Sequence, residues 1–539
     1  MRKRITTIIS SILDRASPAA TPAFRGWLPG LGLVLLITAG SPLWAAAHAL
    51  DDALFLDRPA RIEPDYAGLT IPPNIAPLNF AIREPGAEFR LRLRGQTGPS
   101  IELASGSANL IIPERPWRAL LRSNQGGEIY ADLWSRNADR RWQRFLTLTN
   151  RVARETVDPV LIYRKIRPAH STWSIMGIYQ RNLETFDETP ILENRRFGGD
   201  CCHCHALRDN NPEAATLLIR SKTYGNSLLI LDHGSAQALE GTLGFTAWNP
   251  QGTLLAASVS QPRLMLHTAR NDMRGITELK AWIGCFERAS NVVRQIPGLA
   301  KETRLTTFPC WTPDGRYLYY CSAPNPWTNM AAATATSHTA AKYDLMRIAY
   351  DLRRDAWGSP ELLLSAPETG FSVAQPRISP DGRWLFFCAI PYGCWPTYET
   401  QSDLYGIDLQ AGNASGKFTC RKLELNSDAC ESWLSWSSNS RWVVFSSKRL
   451  SPLLNRPFLS YVSPDGSCSK PFVVPQRDPA FYENLLRTYT IPTLATGPVT
   501  IPQRDLVAAI KNSRSRKLIM PPAANGLGPE QMASDPASH

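Results

Sequence analysis

Three cysteines and two histidines fill five consecutive positions, Cys201-Cys202-His203-Cys204-His205, within the stretch GGDCCHCHALRDNN. Cys201, Cys204 and His205 satisfy the C-x-x-C-H spacing of c-type haem attachment. Two thiols three positions apart reach the two vinyl groups of one porphyrin, and the next residue offers its imidazole to the iron from the same side. The iron then carries an electron at a potential set by its second axial ligand and by burial. This reading gives one covalent haem c, with Cys201 and Cys204 as thioether residues and His205 as proximal ligand. The candidates for the sixth position are His170, Met176 and Met520. A five-coordinate iron is equally allowed. Cys202 and His203 are then spacers.

Other chemistries are open to the same residues. Zinc needs ligands that converge tetrahedrally, usually two short pairs separated by a loop. No second C-x-x-C or H-x-x-x-H occurs here. A thiol-disulfide oxidoreductase using Cys201 and Cys204 fits the C-x-H-C reading, but it requires a strand before the motif and a helix after it. The flanking RRFGGD does not read as that strand. A structural disulfide is a further alternative. Of the remaining eight cysteines, Cys321 and Cys388 recur at one position of a repeat (LYYCS and LFFCA), which marks them as strand-core residues.

The elements that must position the motif read as mainly β. Residues 63–165 contain short alternating runs such as FRLRLRG and EIYADLW, bounded by turn residues, and suit a β-sandwich-like domain. Residues 171–186 place Met176, Tyr179, Leu183 and Phe186 on one helical face, so a helix followed by a haem loop is expected over 166–212. Beyond it, FTAWNPQGTLLAAS, FPCWTPDGRYLYYCS, QPRISPDGRWLFFCA and WLSWSSNSRWVVFSS are four copies of one strand–turn–strand unit. Apolar runs such as DLMRIAYDL and DLYGIDLQAG alternate with them. Two strand types at a spacing near 60 residues predict a β-propeller over 213–490, with five or six blades. Residues 512–539 carry little apolar content and are expected to lack structure.

The SPDGRWLFF and DLYGIDL units resemble the blades of TolB-type β-propellers. Together with YAGLTIPPNIAPLNF and IYQRNLETFDE ahead of the C-x-x-C-H motif, they resemble a group of exported bacterial propeller proteins with one c-type haem. That resemblance implies Cys201, Cys204 and His205 as haem residues and no catalytic residue beyond them.

The N-terminus reads as an export signal. MRKR precedes the apolar LPGLGLVLLITAG, and Ala47-His48-Ala49 fits a cleavage site. An uncleaved anchor is the alternative, and the one route to membrane association. Removing residues 1–49, with five basic residues and one acid, lowers the net charge from +12 to +8. No basic run with interleaved aromatics follows, which excludes a nucleic-acid partner. The absence of G-x-S-x-G excludes a serine peptidase of the type that follows many propellers. The expected function is electron transfer in the periplasm or cell envelope, with the propeller docking an unidentified redox partner. The alternative is a propeller that binds protein or glycan and carries a structural or sensory haem.

Overall fold

Each of the four repeats folds as the first two strands of a four-stranded sheet. Ser372–Ile378 runs into the SPDG turn and returns as Trp384–Ile390, while Arg304–Trp311 does the same through TPDG to Tyr317–Pro324. Pro presets the turn and the Asp side chain accepts from the backbone beyond it, Asp381 from Arg383 and Asp314 from Arg316. Gly382 and Gly315 take φ of 74° and 72°, the left-handed region that glycine enters without steric cost. The alternating apolar runs form third strands, Asp344–Asp351 and Asp403–Asp408.

This computed structural model describes residues 50, 52–167, 175–266, 274–327 and 337–521. Among the described residues there are six four-stranded antiparallel sheets. Their innermost strands touch in a ring: Cys201–Arg208, Thr246–Trp248, Arg304–Trp311, Ser372–Ile378, Glu431–Trp436 and Thr488–Ala495, which meets Cys201–Arg208 again. This is a β-propeller. The last innermost strand completes a sheet begun far upstream, since Thr488–Ala495 pairs with Val160–Ile166. That sheet continues through Met176–Asn182 to Glu188–Glu193.

Three sequence expectations change as a result. Val160–Ile166 belongs to the propeller, so the N-terminal domain ends before residue 160 and the propeller begins there, well ahead of 213. The expected helix over 171–186 is, where described, the strand Met176–Asn182. Alternate side chains of an apolar strand buried on both faces satisfy a helical template over so short a run. The motif is no loop: Cys201–Arg208 is an innermost strand. Its partner Asn211–Arg220 follows a turn at Asp209 and Asn210, both left-handed, which lacks the Pro-Asp-Gly signature of the other turns.

The N-terminal domain pairs a seven-stranded sheet with a three-stranded one across a common core. Phe89, Leu91 and Leu93 face Phe80, Ile82 and Leu110 there, and helix Glu114–Ser123 adds Trp117, Leu120 and Leu121. This core is continuous with the propeller's, and Asp52 onward forms one compact unit. Asp158 accepts from the Ser438 hydroxyl at 2.6 Å and amide at 2.8 Å, and Trp442 Nε1 donates to the Glu155 carbonyl at 3.1 Å. The C-terminal stretch expected to lack structure is bonded as far as it is described. Lys517 and Ile519 bridge to Glu240 and Val292 at the outer edges of two sheets. No described helix is long and apolar enough to cross a membrane.

Candidate functional site

The motif strand pairs Cys201 with Arg220, Cys202 with Ile219 and His205 with Leu217, so two residues, His203 and Cys204, oppose Leu218 alone. This is a β-bulge, one extra residue that resets the alternation of faces. The register thereby returns Cys201 and Cys204 to one side of the strand, and leaves Cys202 and His205 on the other. Cys204 packs with Leu218 in the main core, and Cys202 with Ile219 and Leu217 in a smaller one. Cys201, at the start of the strand, reaches that smaller cluster too.

The same bulge recurs around the ring. Register shifts fall between Thr307 and Cys310, Ala374 and Arg377, and Ser432 and Ser435, and opposite Tyr163 on the closing strand. There Phe308, Gln375, Trp433 and Ile491 have φ of 52–56°. A left-handed bulky residue costs on the order of 1–3 kcal/mol. The motif strand makes its bulge without one.

Every thiol of the motif is free and buried. Arg164 and Arg220 favour the thiolates, but burial outweighs them and pushes Cys201 up to about 12 and Cys204 up to about 11. Such thiols are inert nucleophiles. The oxidoreductase reading therefore finds no activated cysteine in this strand. His205 is 6% exposed, and neither ring nitrogen has a hydrogen-bond partner. Burial drives its imidazole down to about 3, Arg164 adds to this, and the Ile491 backbone opposes it. His203 is likewise neutral by burial, with Nδ1 unpartnered.

The donor types of this set fit a c-type haem, two reduced thiols and an imidazole with both nitrogens uncommitted, although Cys204 packs in the main core and Cys201 in the smaller one. The orientation of His205 is the departure, because its register sets it on the opposite face. Of the sixth-ligand candidates, Met176 shares the smaller cluster with Cys201 and Cys202. Met520 follows Ile519 at the outer edge of a sheet, away from the innermost strands. His170 lies outside the described residues. No group of three or more metal-binding side chains converges among the described residues.

A second buried polar cluster went unread in the sequence. Glu278 lies on the hairpin Leu254–Leu266/Arg274–Glu287, whose strands outrun both their neighbours. Its carboxylate accepts from Thr307 Oγ1 at 3.3 Å and Tyr343 OH at 3.2 Å, and its carbonyl from Trp327 Nε1 at 2.8 Å. Burial pushes the carboxyl up to about 7, against hydrogen bonds from Tyr343, Thr307, Cys394 and Ser260. Those partners come from four separate stretches of chain, which no spacing rule connects.

No family model and no curated protein matches the sequence. Among solved structures, TolB from Acinetobacter baumannii aligns over 68% of this chain and 79% of its own, at 15% identity and a TM-score of 0.39. An oligogalacturonate lyase from Vibrio parahaemolyticus aligns over 57% and 92%, at 12% identity and a TM-score of 0.30. A luciferin-regenerating enzyme aligns over 58% and 95%, at 10% identity and a TM-score of 0.34. The propeller assignment rests on the sheet order described above.

Proposed function

We propose that this chain is an exported propeller protein that holds one covalent haem c through Cys201 and Cys204, with His205 as an axial ligand, and passes electrons to a protein partner docked on the ring. The observation that carries this reading is the imidazole of His205. A buried polar group without a hydrogen bond costs about 1–3 kcal/mol, and here both nitrogens of one ring lack a partner within a C-x-x-C-H sequence. A bound haem would supply one-electron redox chemistry. The chain's own contribution is two thiols kept reduced by burial, an imidazole kept neutral by burial, and two guanidiniums, Arg164 and Arg220, that favour negative charge nearby.

The test is to express the chain in a periplasm equipped for cytochrome c maturation and record a pyridine haemochrome spectrum. A c-type band that is absent from the Cys201→Ala/Cys204→Ala variant supports the reading. A folded, exported protein without covalent haem overturns it, and leaves the propeller as a protein- or glycan-binding module.

A further inference from the structure

The alternation in FRLRLRG sends Phe89, Leu91 and Leu93 into the core of the N-terminal domain, so Arg90, Arg92 and Arg94 stand on the other face of the seven-stranded sheet. The neighbouring strand Glu128–Arg136 turns Ile129 and Leu133 inward and Tyr130, Trp134 and Arg136 outward. Strand Trp142–Leu146 adds Trp142 and Arg144 to that outer face. Guanidinium and ring then interleave across the strands. Arg94 lies 4.6 Å from the Tyr130 centroid, and Arg92 and Arg144 flank Trp134 at 5.9 and 5.6 Å. Arg90 and Arg136 approach Trp142 at 5.9 and 5.8 Å. Most of these arginines stand one strand away from the ring they meet, so no linear stretch shows the pattern.

The arginines outnumber the acids on this face. Asp132, itself buried, serves both Arg94 at 3.0 Å and Arg144 at 3.7 Å, besides the Thr147 hydroxyl. Glu102 pairs with Arg92 at 2.9 Å, Glu88 pairs with Arg136 at 2.8 Å, and Glu128 accepts from Tyr130 OH at 2.8 Å. Arg90, and Arg151 opposite Glu128, have no ion pair among the described residues. Arg92, Arg94 and Arg144 remain exposed. Stacking on a ring holds a guanidinium in place while leaving N–H groups at its edge for phosphate oxygens.

Apolar side chains border the same face. Phe55 pairs in parallel register with Arg144, which puts it on Arg144's side, and it is 54% exposed. Leu146, two residues beyond Arg144, is exposed as well. Cations, indoles and exposed apolar groups together suit a bilayer interface, where arginines meet phosphates and rings sit at headgroup level. Five adjacent strands, from Ile101–Ser105 to Leu54–Pro59, make the face about 20 Å across, which matches an extended surface better than a small ligand.

We propose that this sheet face docks the protein on a bilayer of anionic phospholipid, its arginines binding headgroup phosphates while Phe55 and Leu146 enter the interface. This is a route to the membrane separate from the N-terminal segment, and it operates whatever the motif strand binds.

Vesicle sedimentation tests this on the chain without its first 49 residues, since Asp52 onward forms one compact unit with its own core. Vesicles of phosphatidylcholine alone are compared with vesicles containing about one-third phosphatidylglycerol, at about 0.05 M and about 0.5 M salt. The expected result is binding to the anionic vesicles only, lost at the higher salt. Arg90→Gln/Arg92→Gln/Arg144→Gln should weaken that binding at least about tenfold, and Phe55→Ser about fivefold. Equal binding to both kinds of vesicle, or an unchanged affinity in either variant, overturns the proposal. Binding to heparin with none to vesicles also overturns it and marks the face as a site for a polyanionic glycan. Should the triple variant fail to fold, Arg90→Gln/Arg151→Gln, which breaks no ion pair, decides: weaker binding supports docking by this face, and unchanged binding overturns it.

Discussion

His205 and Glu278 are buried to nearly the same degree, yet their surroundings are opposites. The imidazole has no partner on either nitrogen, while the carboxyl is bonded by side chains from four stretches of chain. Both are held neutral, His205 by losing its proton and Glu278 by keeping it. A fully partnered group is finished by the polypeptide itself, and its remaining freedom is the proton it carries. A partnerless one is left for something from outside the chain. The comparison separates a group whose bonds the chain supplies from a group that waits.

The sharpest way to break this contrast is the thiol pair. With Cys201→Ala/Cys204→Ala, covalent haem should vanish entirely from the haemochrome spectrum. Retention of the band would remove the reason for reading His205 as waiting. The next largest effect concerns Glu278. Its unfolded carboxyl titrates near 4.5 and its folded one near 7, so the native state keeps a proton that the unfolded state has released. Stability is therefore fully present below about pH 4.5, falls by about 3 kcal/mol as the pH rises to about 7, and is level above that. Urea unfolding across this window should show the decline in the wild type and lack it in Glu278→Gln. If both lines run parallel, the carboxyl is not the group that titrates.

A smaller effect is expected at His205. In the haem-free chain His205→Phe replaces an unbonded ring by an apolar one and should raise stability by about 1–3 kcal/mol in denaturant titrations. A loss of that size would mean the imidazole is already bonded. The smallest is Tyr343→Phe, which removes one of several donors to Glu278. It should cost about 1 kcal/mol above neutral pH and almost nothing below about pH 5, where the carboxyl is protonated. An equal cost at both ends would assign Tyr343 to packing alone.

Much of the propeller was legible because its turns carry their own chemistry. Pro-Asp-Gly fixes a direction reversal locally, and the strand that follows is apolar on both faces. The sheet that escaped notice, and the innermost strand of the next, which was expected as a loop, lack that device. Asn210 replaces the glycine turn before Asn211–Arg220, and the sheet holding Val160–Ile166 is completed by a strand from the other end of the chain. The motif residues could be named from spacing, yet not their setting: a bulge decides which thiols share a side, and bulges leave no mark in a run of Cys and His. Glu278 was illegible for a different reason. An acid on a strand with other charged residues has meaning only through Thr307, Tyr343 and Cys394, which packing across sheets brings to it.

The closing strand sets an order of events. Among the described residues Thr488–Ala495 is the last strand in chain order, and it lies against Cys201–Arg208 while pairing with Val160–Ile166. Until it arrives the ring has a seam, and the motif strand stands at its edge. Contacts between segments this distant in sequence form slowly, because the loop between them must be closed first. During that interval the thiols of Cys201 and Cys204 are within reach of a modifying enzyme, and after it they are 3% and 6% exposed. On this order of events, covalent chemistry at these two residues belongs before ring closure rather than after it.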